Sequence, residues 1–503
     1  MSGADSVRRA GWSMSARVRL VALGILLAVL AARAVGVILD FRAAIRYPFG
    51  LEYGEGIVWQ QALLIPGPHM YGNAQDLPFI VFHYPPLYYL LARAALWFEP
   101  NFLAAGRLVS AISAVAIAIL VAALVRLASD RPRLPREIAI AVAAGLLVLC
   151  LDPVRSWGAW MRVDTTAVAL GMAGLVTAAR ADGRFWGVAA ALLLCVASLF
   201  TKQTGLPVGI AVFAVAFVRN PRGALAAAAL AGAVAVGALC LLEMLTDGGF
   251  LRNIVGDNIN RYALHYAIGT LWPERDSFPF MALMLAAAGA TGHGLRLRLP
   301  PGQGLFARLR AANRATATRA MLLLHFGLAT AMLLTLAKSG SSSNYLLDWL
   351  CVGGVLVGVL LCDLADLERR FLVVATLVIL GALTLPLRTI PDQFAQSLLD
   401  GQAGLVRRIA EADKPVASED MTLLMLAGKP VVFEPAIVTE LAAVGRWNEA
   451  PLVKMIRSKG FAFMITTNDT PGSSPHRSAA VDAAMRAAYP RVEQVGGLWL
   501  HLP

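Results

Sequence analysis

Long apolar runs dominate this chain and restrict the folds that it can adopt. They are about 17–25 residues long, the length of helix that crosses a hydrocarbon layer about 30 Å thick. The 503-residue chain is 58% hydrophobic and only 15% charged, whereas a soluble protein carries roughly a quarter charged residues. We therefore predict an all-α polytopic membrane protein with about eleven spans. The predicted spans are 19–40, 102–128, 137–153, 163–181, 185–201, 205–219, 223–246, 278–293, 320–337, 344–364 and 370–388.

The first apolar run, Leu20 to Leu39, is predicted to be an uncleaved span. It is longer than the apolar region of a secretory signal peptide, and no small-residue cleavage site follows it. The five cysteines all lie inside apolar runs. We therefore interpret them as small buried hydrophobes and expect no disulfide.

Arginine placement predicts the orientation of the spans. Every second connecting segment is basic, and cytoplasmic segments are the ones that carry excess arginine. The net charge of +12 is thus attributed to membrane topology, and no nucleic acid partner is expected. The N-terminus is predicted to be cytoplasmic and the tail periplasmic, in a bacterial inner membrane. The basic segments carry Arg8, Arg9, Arg17 and Arg19; Arg126, Arg131, Arg133 and Arg136; Arg180 and Arg184; Arg219 and Arg222; Arg296, Arg298, Arg308, Arg310, Arg314 and Arg319; and Arg369 and Arg370.

The alternate segments are predicted to be external, and unusual polar residues concentrate in them. The longest, 41–101, is rich in aromatics and prolines and is expected to form interfacial helices at Glu55–Leu64 and Pro86–Phe98. Segment 247–277 has a similar character, as either an interfacial linker or a mobile lid or acceptor-binding segment. The other external segments are 154–162, 202–204, 338–343 and the tail after about residue 390.

Two carboxylates in the first external segment are the candidate catalytic residues. Glu52 and Glu55 are three residues apart and would share one face if helical. One interpretation is that they only cap the first interfacial helix, which favours acids in its first turn. The other is that one of them is a general base facing a groove. His83 and Tyr84, at the end of the same segment, are candidate substrate contacts, although an interfacial histidine is more often simply hydrogen-bonded.

Later external turns supply candidate partners for these acids. Asp164 follows Arg162 in RSWGAWMRVD, and it is explained equally well as a helix N-cap. Lys202 lies in the short turn TKQTG, where a phosphate group would be held at the lipid surface. The turn KSGSSSNY ends in Tyr345, and a flexible link is its alternative interpretation. Arg107, about one turn inside the second span, is expected to point back toward the external face.

The tail differs in composition and is predicted to form a small periplasmic α/β domain. We predict a membrane domain over 1–390 and this second domain over 391–503. Asp420 and Glu434, near strand ends, are expected to face solvent. The predicted strands are Lys414–Ser418, Pro430–Phe433, Phe461–Thr467 and Leu498–Leu502, and the predicted helices are Asn448–Lys459 and Val481–Tyr489.

The sequence lacks the signals of nucleotide and metal enzymes. It contains no glycine-rich phosphate loop, and no His, Cys and Asp cluster has metal-ligand spacing. No cofactor is predicted, and a divalent metal has no support in the sequence. External carboxylates opposite Arg and Lys instead favour attack by a hydroxyl with a lipid phosphate as the leaving group.

Four motifs in order resemble the GT-C superfamily of membrane glycosyltransferases. They are the acidic motif of the first external segment, YPPLYYLL, RVDTTA and FTKQTGLP. The similarity is closest to the branch of protein O-mannosyltransferases and lipid A aminoarabinose transferases. It spans about 390 residues, and the trailing α/β domain is also similar to that branch. The resemblance implies a polyprenyl-phosphate-linked sugar donor and inverting transfer on the external face.

The resemblance also implies roles for individual residues. The acidic motif of that superfamily is usually an Asp–Glu pair, and here Glu55 matches the Glu while Gly54 replaces the Asp. Glu55 is therefore the favoured base, with Glu52 a close second. Asp164 is similar to an acidic position that binds acceptor or donor sugar, and Lys202 matches a donor-phosphate contact.

The identity of the acceptor stays open between a lipid, a glycan and a protein. Two other functions also stay open at this point. One is a transporter or flippase, which tends to show repeated halves that we do not find. The other is a non-catalytic protein of envelope assembly, surrounded by membrane lipids, which would tolerate loss of both glutamates.

Overall fold

A helical bundle with a small sheet at one end forms the fold. The computed structural model describes residues 14–503 apart from residues 259, 303, 392 and 473. Arg8 and Arg9, which were used to predict the orientation, lie outside the described residues. The helices up to the tail are α1 (Met14–Arg46), α2 (Tyr53–Leu63), α3 (Leu87–Ala95), α4 (Phe102–Ala128), α5 (Pro135–Cys150), α6 (Asp152–Ala159), α7 (Asp164–Ala181), α8 (Phe185–Leu199), α9 (Leu206–Arg219), α10 (Pro221–Leu245), α11 (Gly249–Leu251), α12 (Leu264–Leu271), α13 (Phe278–Arg298), α14 (Leu305–Ala311), α15 (Arg314–Met332), α16 (Leu347–Leu364) and α17 (Glu368–Thr384).

Each of the eleven predicted spans coincides with a helix, but their number as spans is not confirmed. Within the described residues, six helices are long and apolar enough to cross a membrane: α1, α4, α10, α13, α15 and α16. A seventh span results if α5 and α6, which meet at 64°, are counted together. Helices α8 and α9 have 15 and 14 residues. At 1.5 Å per residue they reach only about 21–23 Å, less than the hydrocarbon layer.

The bundle interior is a single apolar core in which small residues allow close helix contacts. Helix α16 is the most enclosed candidate span, with 83% of its apolar window buried. Gly145 of α5 and Gly358 of α16 have no room for a side chain, because a Cβ on either would overlap its neighbours. Membrane helices associate through such small residues, since lipid supplies no hydrophobic driving force between them.

The two helices predicted in segment 41–101 are present as α2 and α3, and their interfacial position stays a prediction. Tyr88 and Tyr89 of α3 are both buried. The Tyr88 hydroxyl donates to the Gly106 carbonyl at 2.8 Å, and that of Tyr89 donates to Gln61 at 2.5 Å. These bonds fix α3 against α4 and α2. Segment 247–277 contacts this region as well, because the Phe82 amide donates to Asn253 at 2.8 Å.

The tail folds as an α/β unit around a four-stranded sheet of order β1-β2-β4-β3. Strand β1 is parallel to β2, with Ala417 opposite Met464, and the other two pairings are antiparallel. The elements are α18 (Gln396–Ala410), β1 (Ala417–Ser418), α19 (Met421–Leu426), α20 (Pro435–Ala443), α21 (Ala450–Arg457), β2 (Met464–Thr466), α22 (Ala479–Ala488), β3 (Arg491–Val495) and β4 (Leu498–Leu502).

The first external segment and the tail share hydrophobic cores. Phe79 packs with Phe433, and Phe49 packs in a second cluster with Leu405 and Ile409. The predicted strand Pro430–Phe433 is wrong: these residues make only an isolated parallel bridge, between Phe433 and Phe79. Its partner comes from the first segment and not from the sheet, so no ladder develops. Helix α2 is thus held between the bundle and the tail.

Candidate active site

Glu52 lies at the start of α2 and reaches toward the bundle. Its backbone is extended (φ −146°, ψ 144°), and its carboxylate accepts a hydrogen bond from the Gly54 amide at 2.8 Å. Glu52 therefore caps α2, as one interpretation of the sequence predicted. Its side chain nevertheless keeps 26% of its surface exposed and also contacts Arg162.

Arg162 connects the first external segment to the bundle. Its two terminal nitrogens donate to Glu52 and to the Tyr84 hydroxyl, each at 3.2 Å. The guanidinium also lies over the Trp157 ring, 4.8 Å from its centroid. Its Nε lies 3.6 Å from Asp164 Oδ2, and both of these buried atoms lack a hydrogen-bond partner within the described structure. A small shift on ligand binding would satisfy both atoms, or a polar ligand would satisfy them itself.

Asp164 joins Arg162 to Lys202 at the start of α7. Its Oδ1 accepts hydrogen bonds from the Lys202 ammonium and, at 2.9 Å, from the Asn344 amide. The Lys202 ammonium lies 4.7 Å from the centroid of the Tyr345 ring, an attractive cation–π contact. Both Asp164 and Lys202 are almost fully buried. Within the described residues, Asp164 is the only acceptor of a hydrogen bond from this ammonium, which has three donors.

The four residues Glu52, Arg162, Asp164 and Lys202 thus form a continuous row of alternating charge, which we call the charged row. The row ends at a partly open cleft that encloses about 570 Å³ including open space. Its lining is mixed. The apolar part includes Ala167, Val168, Val208, Ala329, Met332 and Trp349, and the polar part includes Asp164, Lys202, Asn344, Tyr345, Ser198, Thr204, Thr335 and Asp348. A cleft with this lining suits a ligand that is charged at one end and apolar at the other.

Glu55 lies in a closed arrangement instead. It is fully buried and accepts two hydrogen bonds from Arg107, both at 2.7 Å. The amides of Leu51 and Met161 donate to the same carboxylate at 2.7 and 2.8 Å. Arg107 in turn donates to three main-chain carbonyls, those of Ala44, Tyr47 and Phe49. We call Glu55 and Arg107 the closed pair. Arg107 is fully buried, and its guanidinium reaches back to Ala44, Tyr47, Phe49 and Glu55, all in segment 41–101. The expectation that it points toward the external face stays a prediction.

Gly54 explains how the two arrangements fit together. A Cβ at position 54 would overlap the Arg162 guanidinium. The volume that an aspartate side chain would need at this position is therefore taken by Arg162. Glu52, two residues before Gly54, is therefore the acid of this segment that contacts Arg162.

His83 links the site to the tail. Its Nε2 lies 3.0 Å from Glu434 Oε2, and the Tyr53 hydroxyl donates to the other oxygen of Glu434 at 3.2 Å. The prediction that Glu434 faces solvent is wrong, because this side chain is fully buried between α20 and the first segment. The prediction for Asp420 is wrong as well: it caps α19, accepting from Thr422 at 3.0 Å, and is half-buried. The hydroxyl of Tyr84, which follows His83 in the sequence, accepts a hydrogen bond from Arg162.

The environment of Glu52 shifts its acidity. Burial raises the pKa of the Glu52 carboxyl above its ordinary value, and the Glu55 and Asp164 charges act in the same direction. The Arg162 guanidinium and the Gly54 amide oppose this shift. A carboxylate whose pKa is raised is a stronger proton acceptor once ionised, as a general base requires. Its partial exposure leaves the carboxylate accessible from the surface.

One residue of the site, Asn344, was not singled out in the sequence. Asn344 belongs to the polar turn KSGSSSNY, and the signal was the turn as a whole. Trp157, which stacks on Arg162, donates to Ser343 of the same turn at 3.0 Å. Among the described residues, no group of three His, Cys, Asp or Glu side chains is arranged to hold a metal ion.

No family model matches this chain, and no curated protein matches it in sequence. Solved structures do match in fold. The fold matches that of the solved ArnT and AglB structures, so the predicted resemblance is confirmed at the level of architecture.

Three such structures are similar over most of this chain. ArnT from Cupriavidus metallidurans in the apo state has 13% sequence identity and a TM-score of 0.58, covering 94% of this chain and 97% of ArnT. The same protein bound to undecaprenyl phosphate has 14% identity and a TM-score of 0.50, over 92% and 96%. The oligosaccharyltransferase AglB from Archaeoglobus fulgidus, with an inhibitory peptide and a dolichol-phosphate, has 11% identity and a TM-score of 0.50, over 89% and 69%.

Proposed function

We propose that this protein is a membrane glycosyltransferase that moves a sugar from a polyprenyl-phosphate donor to a lipid, glycan or protein acceptor. The observation that carries the proposal is the charged row at the mouth of the cleft. The fold is shared with ArnT, which has been solved bound to undecaprenyl phosphate, and with AglB, solved with a dolichol-phosphate. We propose that the reaction takes place on the periplasmic face, with the N-terminus in the cytoplasm.

The donor would lie with its isoprenoid chain in the cleft and its phosphate at the mouth. An isoprenoid is entirely apolar. The side chains of Val168, Val208, Ala329, Met332 and Trp349 in the cleft lining offer it apolar contacts. Lys202 would hold the phosphate, because its ammonium has donors beyond the one that Asp164 accepts. The unpartnered Arg162 Nε supplies a further donor next to it.

Glu52 would be the general base. It is the most exposed member of the charged row, and burial raises the pKa of its carboxyl. We favour it over Glu55, because the closed pair leaves no oxygen of Glu55 free to accept a proton from a substrate. Glu55 and Arg107 are then positioning residues that fix the start of α2 and thereby the direction of Glu52.

The proposed transfer is a single displacement with inversion. Glu52 removes the proton from the acceptor hydroxyl, and the hydroxyl oxygen forms a bond to the anomeric carbon. The bond between that carbon and the phosphate oxygen breaks, and the electron pair leaves with the polyprenyl phosphate. Lys202 and Arg162 stabilise the negative charge that develops on this phosphate. Tyr84, Tyr345, Asp164 and His83 would line the sugar and acceptor positions.

The test uses the full chain reconstituted in liposomes with a panel of synthetic polyprenyl-phosphate sugars and an envelope extract as the acceptor source. We expect release of free polyprenyl phosphate with at least one donor, and only when the extract is present. A parallel assay follows movement of fluorescent donor between leaflets. Movement of donor without any release of polyprenyl phosphate would contradict the proposal and support a flippase.

A further inference from the structure

A second charged cleft lies at the end of the bundle that is farthest from the charged row. It opens between the last turn of α4 with its following loop and the facing ends of α7 and α15, and it encloses about 1340 Å³ including open space. Four arginines line it: Arg126, Arg133, Arg180 and Arg314. All four are exposed. We call this feature the arginine cleft.

Among the described residues, these arginines differ from their neighbours in lacking acidic partners. At the same end, Arg131 and Arg136 bind Asp366 at 3.0 and 2.6 Å. Arg319 binds Asp363 at 2.6 Å. Arginines at this end thus pair with carboxylates where carboxylates are available.

The arginines of the cleft have almost no protein partners within the described residues. The side chains of Arg133, Arg180 and Arg314 take part in no hydrogen bond or ion pair there. Only the main-chain carbonyls of Arg180 and Arg314 accept side-chain hydrogen bonds. Arg126 makes a single bond of 3.4 Å, to the Pro132 carbonyl.

The single carboxylate in the lining does not change this balance. Asp130 lines the cleft, but Arg298 already binds it at 3.2 Å from outside the lining. Four guanidiniums therefore face one concave space with little compensation. Their mutual repulsion makes an anionic occupant favourable.

The rest of the lining favours a lipid over a soluble anion. Ala123, Leu127 and Ala315 stand beside the guanidiniums. An acyl chain gains from such apolar contacts and a free phosphate does not. Arginine binds phosphate oxygens with two parallel hydrogen bonds. Basic pockets between membrane helices on the cytoplasmic side bind anionic lipid headgroups.

We propose that the arginine cleft binds the phosphate headgroup of an anionic phospholipid. The proposal is independent of the glycosyl transfer at the other end of the bundle. The simpler alternative is that these arginines only orient the spans. That alternative requires their charge but not their common cleft.

The experiment measures lipid binding to the purified full chain by native mass spectrometry. Phosphatidylglycerol, phosphatidylcholine and inorganic phosphate are added in separate arms. The test variant replaces Arg126, Arg133, Arg180 and Arg314 with glutamine. The matched control replaces Arg222, Arg296, Arg369 and Arg370, which are exposed at the same end but do not line the cleft. Both variants lose the same charge, and a second pair carries lysine in place of glutamine to preserve orientation.

We expect the glutamine variant of the cleft to lose at least about tenfold in phosphatidylglycerol affinity, and its control to lose less than about threefold. The lysine variant of the cleft should fall in between, because lysine keeps the charge and loses the bidentate geometry. If the glutamine variants do not accumulate in the membrane, the comparison is made between the lysine variant of the cleft and the lysine variant of the control. Equal affinities in the two lysine variants, or displacement of the lipid by inorganic phosphate at similar concentration, would overturn the proposal.

Discussion

The closed pair and the charged row contain the same kinds of side chain but satisfy them differently. In the closed pair, Glu55 and Arg107 are both fully buried and every charged group has its full set of protein partners. In the charged row, Glu52 stays 26% exposed, while Arg162 Nε and Asp164 Oδ2 have no partner in the described structure.

The difference separates a structural role from a chemical one. A carboxylate with four hydrogen bonds from the protein is stabilised in one position and has no capacity for a substrate. A row with unfilled donors and acceptors next to a cleft retains that capacity. The two glutamates are only three residues apart, so substitutions at each test the comparison directly.

The largest expected effect is on turnover in Glu52→Gln. The amide oxygen still caps α2, so the protein should accumulate normally, but it accepts a proton far more weakly than the carboxylate. We expect kcat to fall by about 10²- to 10⁴-fold, measured as polyprenyl phosphate release. The control is Glu99→Gln, a half-buried glutamate of the same segment whose carboxylate accepts, within the described residues, only from the Asn101 amide. Full activity of the Glu52 variant would remove the proposed base.

The second effect is on stability in Glu55→Gln. The substitution leaves the Arg107 charge uncompensated in a buried site, which costs about 3–5 kcal/mol. We expect a marked fall in the amount of folded protein and in its unfolding temperature in detergent.

The double substitution Glu55→Leu with Arg107→Met removes both charges of the closed pair and should be less damaging than either single change. The opposite result for Glu55→Gln, normal stability with abolished turnover, would make Glu55 the base after all.

A smaller effect is expected at the other end of the charged row. Lys202→Met removes the proposed phosphate contact, and the KM for the donor should rise by about tenfold to a hundredfold. Lys202→Arg keeps the charge and should recover part of the loss. Donor KM measured at saturating acceptor is the readout, and an unchanged KM in the methionine variant would exclude Lys202 from the donor site.

The smallest effect is a displacement of the pH profile in Gly54→Ala. The added methyl group overlaps the Arg162 guanidinium and moves it away from Glu52. Loss of this cation raises the pKa of Glu52 further, since Arg162 opposes the effect of burial. A base must be ionised, so the rising limb of kcat/KM should move to higher pH.

The control for this shift is Gly269→Ala, where a Cβ meets nothing within 4 Å. Its pH profile should match that of the parent chain. A Gly54→Ala profile without displacement would mean that Arg162 does not tune Glu52.

The bundle was predictable from the sequence because the length of apolar runs is a direct physical requirement of the membrane. The structure of the tail was harder to predict from the sequence. Strand β3 was missed because its residues are mostly exposed, although the Gly496-Gly497 pair that follows, with both φ angles positive, is a hairpin signal. Helix α20 was missed, and with it the burial of Glu434.

The candidate residues were predictable, but their partners were not. Glu52 and Glu55 were expected to share a helix face, and the extended backbone at Glu52 removes that relation. Spacing describes neighbours along one helix, whereas Arg162 and Arg107 reach these glutamates from sequence separations of 110 and 52 residues. Only the three-dimensional packing decides which arginine pairs with which acid.

The most direct test of the account is a cryo-EM structure of the protein with undecaprenyl phosphate. We predict density for the phosphate within about 4 Å of Lys202 Nζ, with the isoprenoid chain in the cleft and Glu52 on the open side of the same space. Density for the phosphate away from the charged row, with Lys202 still bound only to Asp164, would contradict the account.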